Sequence, residues 1–221
     1  MPRGFDGPVR VLDAGPIVAW VETIAAPIAP TVERIRVHDA VTDAALATGT
    51  TPIPARFGQI FASDEVCRDA LRRRSARLLA DLARVDGLVE MRVVARLAVP
   101  GPAGGQGVPE GPVAAENGPG GPGRAYLEEL RGRQKLERNM QSISAAVRQR
   151  LTETVGAFVR GEAISLDPLP AAVLSASHLV PRDAVSRYRS ALLDATLGPE
   201  VERIVVSGPG APYRFVSDPN E

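Results

Sequence analysis

From Leu88 onward the hydrophobic spacing of the chain switches back and forth between two periods, and this succession constrains the fold more than any other feature. Leu88-Val-Glu-Met-Arg-Val-Val-Ala-Arg-Leu97 alternates apolar and polar residues with one local slip, as a strand half-buried on a core does. Residues 124 to about 155 carry apolar side chains at helical spacing instead. Tyr126, Leu127 and Leu130 form one patch; Met140, Ile143, Val147, Leu151 and Val155 form another. The polar run Arg131-Gly-Arg-Gln-Lys-Leu-Glu-Arg138 between them predicts a helix that projects into solvent or bends near Gly132. Residues 157–166 and 171–180 read as strands joined by an Asp167-Pro-Leu-Pro170 turn, 182–195 as a helix and 201–207 as a strand. After a rigid Gly208-Pro-Gly-Ala-Pro212 turn, Tyr213-Arg-Phe-Val216 reads as a terminal strand. Strand, helix, strand, strand, helix, strand is the split βαβ order of ferredoxin-like domains, in which two helices cover one face of an antiparallel sheet.

The first 87 residues follow part of the same plan. Val9-Arg-Val-Leu12 and Ile17-Val-Ala-Trp-Val-Glu-Thr23 flank an Asp13-Ala-Gly-Pro16 turn and predict a hairpin. Val37, Ala40, Val41, Ala44, Ala45 and Leu46 recur at helical spacing, with Gly49 as the stop. Thr51-Pro-Ile-Pro-Ala-Arg-Phe-Gly-Gln-Ile-Phe61 then places Ile53, Ala55 and Phe57 on one face at period two and predicts a strand. Its prolines confine the entry to a sheet edge, and Gly58 permits a bulge. Ser63, followed by Asp64 and Glu65, starts a helix that ends at Gly87. Its buried stripe is expected to be Val66, Ala70, Leu71, Leu78, Leu79 and Leu82, flanked by Arg72, Arg73, Arg74 and Arg77.

The expected architecture is α+β in two domains, with antiparallel sheets covered by helices. Residues 1–87 form an incomplete variant of the plan and 88–221 the ferredoxin-like (βαββαβ) domain. Residues 100–123 are a Gly/Pro/Ala run that cannot bury enough apolar surface to offset its ordering entropy, so a flexible loop is expected there.

Composition excludes more than it suggests. Lys and Arg number 26, Asp and Glu 26, and a net charge of zero draws the chain neither to nucleic acid nor to an anionic membrane surface. Cys67 is the single cysteine, so no intrachain disulfide can form and a reducing compartment is expected. Residues 1–8 hold no apolar core of signal-peptide length, and no stretch reaches the roughly 18 apolar residues of a membrane span. A cytoplasmic location follows as an expectation.

Each candidate for chemistry fails on its context. Gly118-Pro-Gly-Gly-Pro-Gly123 satisfies G-x-G-x-x-G ahead of a helix, yet no strand leads into it and its prolines delete amides that a phosphate cradle needs. His38 precedes Asp39, and His178 lies near Asp183, Ser175 and Ser177, without the G-x-S-x-G elbow of a hydrolase. Cys67 beside Val66 reads as a buried spectator, Arg72-Arg-Arg74 as a solvated helix face and Ser207-Gly-Pro-Gly as a turn. No C-x-x-C, H-E-x-x-H or acidic array points to a metal, and no cofactor is expected.

Four separated motifs resemble one family when taken together. Pro52-Ile-Pro-Ala-Arg-Phe-Gly-Gln-Ile-Phe61 ahead of an acid-started helix, Gly123-Arg-Ala-Tyr-Leu127, Ala176-Ser-His-Leu-Val180 and Ser207-Gly-Pro-Gly-Ala-Pro-Tyr-Arg-Phe-Val216 stand in the order found in the gas vesicle protein F/L family. The resemblance implies two α+β domains and a non-enzymatic accessory role in building the gas vesicle, as an assembly factor or minor structural component. It also implies the main hydrophobic shell protein and other accessory proteins as partners. Arg56, Phe57, Gly58, Tyr126, Tyr213 and Phe215 are the family-like positions expected to meet a partner, with Phe57 and Phe215 also fitting a core role. Members of that family open with a tyrosine-bearing strand of the kind Tyr-Leu-Tyr-Gly-Ile-Val. Here Met1 to Pro8 stand in its place, so the first sheet is expected to lack a strand or to be completed by another element or by a partner. A small-molecule-binding or regulatory module is the alternative reading, because a ferredoxin-like fold does not fix function.

Overall fold

A computed structural model of the chain describes residues 1–98, 122–167 and 172–216. The hairpin β1 (Arg10–Asp13) and β2 (Val18–Val21) is followed by three helices, α1 (Val32–Leu46), α2 (Asp64–Arg73) and α3 (Ser75–Val85). Then come β3 (Leu88–Leu97), α4 (Pro122–Val155), β4 (Gly161–Asp167), β5 (Val173–Pro181), α5 (Val185–Leu193) and β6 (Val201–Gly210). The second half is thus strand, helix, strand, strand, helix, strand. Its sheet is antiparallel throughout, in the order β4-β5-β3-β6.

β3 positions the core. Val89, Met91, Val93, Ala95 and Leu97 are buried and face Val180, His178, Ala176 and Leu174 of β5 in register. Met140, Val147, Leu151 and Val155 of α4 and Tyr188 and Leu192 of α5 close over them. Each buried Val, Leu or Met side chain among them contributes about 1.5–3 kcal/mol by leaving water. α4 runs unbroken through Gly132, a helix of 34 residues or about 51 Å, and among its described side chains the buried positions begin at Met140. Of the expected flexible loop, Pro122 and Gly123 open α4; the rest lies outside the described residues, as do most of the Gly118–Gly123 motif and the Pro168–Pro170 turn.

Three sequence expectations are corrected. Residues 51–61 form no strand: Pro52 and Pro54 remove alternate donors, and the segment is an extended loop closed by a turn in which the Gln59 amide donates to the Arg56 carbonyl at 3.1 Å. The expected single helix after Ser63 breaks at Arg74. Its buried positions are Cys67, Asp81 and Val85, with Ala70, Leu71, Leu78 and Leu82 half-buried beside them, while Val66 and Leu79, expected in the stripe, are exposed. Tyr213–Val216 is a turn, and β6 instead continues to Gly210.

Side chains at both ends of the first half hold it in place. The Glu22 carboxylate accepts the backbone amides of Phe5, Asp6 and Gly7 at 2.8, 2.5 and 2.6 Å, fixing the N-terminal loop beside β2. Arg10 donates two hydrogen bonds to Asp64 at 2.9 and 2.6 Å, joining β1 to the start of α2. That bond holds the Asp64 carboxyl below its ordinary range.

The two halves meet through a few polar contacts. The Arg182 guanidinium donates to the carbonyls of Leu46 at 2.9 Å, which also accepts from the Gly49 amide at 3.2 Å, and of Thr50 at 3.0 Å, at the end of α1 and just beyond it. Its own amide donates to Gly87 at 3.0 Å, and the buried Thr51 hydroxyl donates to the Leu88 carbonyl at 2.8 Å. Arg182→Ala is therefore expected to lower stability by about 2 kcal/mol in denaturant unfolding, and Arg182→Lys to recover less than half of it, because a point ammonium cannot span both carbonyls.

Candidate functional site

Two of the family-like motifs meet at one helix, α1. Gly58 is the third residue of the turn at Arg56 to Gln59, with φ +79°, a value that type II turns reserve for glycine. The turn leaves Arg56 exposed and Ile60 45% exposed, and directs Phe57 inward. The Phe57 ring meets Phe5 edge-on at 5.9 Å and the His38 ring of α1 at 5.7 Å. His38 Nε2 lies 3.1 Å from the Ala55 carbonyl, which ties the loop to α1. One helical turn on, the Thr42 hydroxyl donates to the His38 carbonyl at 3.0 Å and lies 3.4 Å from the Tyr213 hydroxyl. α1 thereby touches two of the four motifs. Nothing in its own spacing foretold this, since His38 and Thr42 are ordinary polar residues on a helix.

The C-terminal segment is shaped by a close approach. Gly208 has φ +104°, and a Cβ there would stand 2.6 Å from the Glu90 carbonyl, at the point where the β3–β6 register shifts. Its carbonyl accepts from Arg189 of α5. The chain then turns back across the sheet. The Arg214 amide donates to Glu90 Oε2 at 3.1 Å, and the Phe215 ring packs over Gly161, 3.3 Å from where a Cβ there would stand. Arg84 of α3 holds Asp81 at 2.6 Å and donates to the Phe215 carbonyl. Phe215 is therefore an anchor between sheet and helix. Tyr126 lies in α4, and its side chain is outside the described residues.

Between α1 and the sheet runs an open groove of about 400 Å³ lined by Asp39, Thr42, Asp43, Glu90, Arg92, residues 207–211 and Tyr213. Burial raises the Tyr213 hydroxyl above its ordinary pKa, and the neighbouring carboxylates Asp39, Asp43 and Glu90 add to that. The groove contains no nucleophile paired with a base. His178 is elsewhere, 1% exposed, with Nδ1 2.7 Å from the Tyr188 hydroxyl and Nε2 3.4 Å from Glu162 Oε1; Glu162 is held in turn by Arg148 at 2.7 Å. Asp183, its neighbour in sequence, is not among these partners. Burial raises the Cys67 thiol pKa, the reverse of what a reactive thiolate needs. Among the described residues no group of His, Cys, Asp and Glu could hold a metal ion, and no helix is long and apolar enough to cross a membrane.

The sequence model of one protein family, described as gas vesicle synthesis protein GvpL/GvpF, matches residues 3–217. No curated protein matches. Among solved structures, that of gas vesicle protein GvpF from Microcystis aeruginosa superposes with a TM-score of 0.69 at 15% identity, over 96% of this chain and 90% of that one. GvpF from Anabaena sp. PCC7120 superposes with a TM-score of 0.71 at 17% identity, over 98% of this chain and 89% of that one. At these identities the likeness is one of fold: mixed α and β, with antiparallel sheets and helices.

Two measurements check this geometry. Gly208→Ala is expected to cost about 2–3 kcal/mol, from backbone strain together with the clash at Glu90, whereas Gly58→Ala, whose added Cβ meets open space, should cost only about 1 kcal/mol. Burial lowers the His178 pKa below its ordinary 6.5, with Glu162 opposing. The neutral ring accepts from Tyr188 and donates to Glu162, so its stabilisation is complete above that value and lost as the pH falls beneath it. Thermal unfolding of the wild type should weaken between about pH 6.5 and 5 more steeply than that of His178→Gln.

Proposed function

The chain belongs to the gas vesicle synthesis protein GvpL/GvpF family, and from that membership we propose that it is a non-enzymatic gas vesicle accessory protein that binds the main hydrophobic shell protein while the vesicle forms. The observation that carries this reading is the extent of the family match, which runs from residue 3 to 217 and so takes in both halves and their junction. A role at the gas vesicle follows from the family; shell-protein binding is our reading. In support of it, His178 and Cys67 are buried in structural contacts, so neither offers a reacting group to solvent.

We assign residues 88–221 to a ferredoxin-like domain, on the strength of the element order and the β4-β5-β3-β6 sheet, and residues 1–87 to a smaller α+β domain joined to it through Arg182 and Thr51. The partner surface on this reading is the Arg56–Ile60 turn together with Tyr213. Arg56, Gly58 and Ile60 are exposed on a turn made rigid by Phe57 beneath it, and Tyr213 is 44% exposed; arginine, tyrosine and an aliphatic side chain on a preformed surface suit an apolar client. Phe57 and Phe215 act by supporting that surface.

A triple variant, Arg56→Ala with Ile60→Ser and Tyr213→Ala, is expected to keep the wild-type circular dichroism spectrum and to lose at least about tenfold in capture of the shell protein. In a gas-vesicle-forming host, deletion should abolish buoyant vesicles; normal vesicles in the deletion strain would refute the role itself.

A further inference from the structure

The part of α4 that stands clear of the core carries a stripe of like charge. Arg131, Lys135 and Arg138 are spaced i, i+4 and i+7, so at about 100° per residue they share one side of the helix, and all three are exposed. Met140, Ile143 and Val147, which pack on the sheet, lie on the opposite side. Like charges at this spacing oppose helix formation. None of the three has an ion pair among the described residues; Arg138 Nε reaches only the Gln134 carbonyl of its own helix, at 3.3 Å. The groove between α1 and the sheet holds the opposite sign. Asp39 and Asp43, one turn apart on α1, line it with Glu90; Arg92 offsets one of these three carboxylates and leaves two in excess. Neither aspartate has an ion pair among the described residues. All three carboxylates act on the Tyr213 hydroxyl, so their fields converge on the groove.

The stripe and the groove cannot meet within one chain. α4 ends level with Glu90: beyond Val155 the chain passes through Gly156–Phe158 to Arg160, whose amide donates to Leu179, and Leu179 pairs with Glu90. Arg138 and Arg131 stand about 26 and 36 Å up the helix axis from Val155, at about 1.5 Å per residue. Glu90 and Arg92 also alternate with Met91 and Val93, which pack under α4, and so project from the other face of the sheet. The cations therefore lie at one end of the molecule and the acidic groove at the other, on opposite faces. A foreign basic segment would have to reproduce the one-turn spacing of the two aspartates; a second copy of this chain already carries it.

We propose that copies of the chain associate head to tail, the Arg131, Lys135 and Arg138 stripe of one docking on the Asp39 and Asp43 groove of the next. Successive charges on both helices are one turn, about 6 Å, apart, so two cations can meet the two aspartates at once, which compensates the excess negative charge of the groove. Such a contact is heterologous: it leaves a stripe free at one end of the pair and a groove free at the other, so association continues past two copies. It is made by exposed charges with little apolar surface, so it is weak and sensitive to salt.

Sedimentation equilibrium of the full chain up to about 1 mM protein, in about 0.1 M and about 1 M salt, tests this, since the Debye length falls from ~10 to ~3 Å between them. At the lower salt the average mass is expected to rise past that of a dimer with concentration, and at the higher salt the association constant should fall at least about tenfold. A groove variant, Asp39→Asn with Asp43→Asn, and a stripe variant, Arg131→Gln with Lys135→Gln and Arg138→Gln, should each be monomeric with an unchanged circular dichroism spectrum. Their equimolar mixture should form a dimer and nothing larger, because only one stripe and one groove remain to pair. A wild type that stays monomeric or stops at a dimer, a variant that still associates alone, or a mixture that stays monomeric would overturn the proposal.

Discussion

Arg182 supplies the contact on which the relation between the two halves depends. Its guanidinium reaches the last carbonyls of α1 while its amide meets Gly87, so one residue at the end of β5 fixes both the helix that carries His38 and Thr42 and the point where β3 begins. A planar donor fork reaches both carbonyls at once, adding a second donor to Leu46 and giving one to Thr50. With α1 held there, the Phe57 loop and Tyr213 come to rest on neighbouring turns of one helix. The groove lined by Asp39, Asp43 and Glu90 follows from the same placement.

The molecule uses its special residues for shape. Gly58 makes a turn that ends what would otherwise continue as extended chain, and Gly208 lets β6 approach β3 more closely than any side chain would allow. Phe215 fills the space over Gly161, and Arg84 ties that segment to α3. Even the buried His178 serves to join β5 to α5, through Tyr188, and to β4, through Glu162. A protein that acts by presenting a surface needs such fixed geometry, because every side chain ordered beforehand is one that binding does not have to immobilise.

Much of the second half was legible from periodicity alone. β3 alternates because one face of it packs under α4, and the stripe from Met140 to Val155 recurs at helical spacing because that part of α4 lies on the sheet. The first half was legible only in part. Residues 51–61 have the alternation of a strand, but Pro52 and Pro54 deny it a ladder, so the pattern reflects alternating contacts of an extended loop. In α2 and α3 the leucine spacing found most of the inner face, since Leu71, Leu78 and Leu82 are half-buried, but not the most buried residues, Cys67, Asp81 and Val85; Asp81 is paired with Arg84, a pairing that hydrophobic spacing cannot register. Tyr213–Val216 looked like a strand because three of its four residues favour sheets, and it turns because Phe215 and Tyr213 find partners in different elements.

The amino-acid sequence by itself determined the succession of elements from Leu88, the absence of a disulfide and the family-like motifs, since each of these depends on local spacing or residue identity. Only the tertiary structure decided which residues form a surface. His38, Thr42, Glu90 and Arg182 are remote from one another in the chain, and what joins them to the motifs is a set of carbonyls, ring edges and charges whose positions exist only once the two halves have packed together.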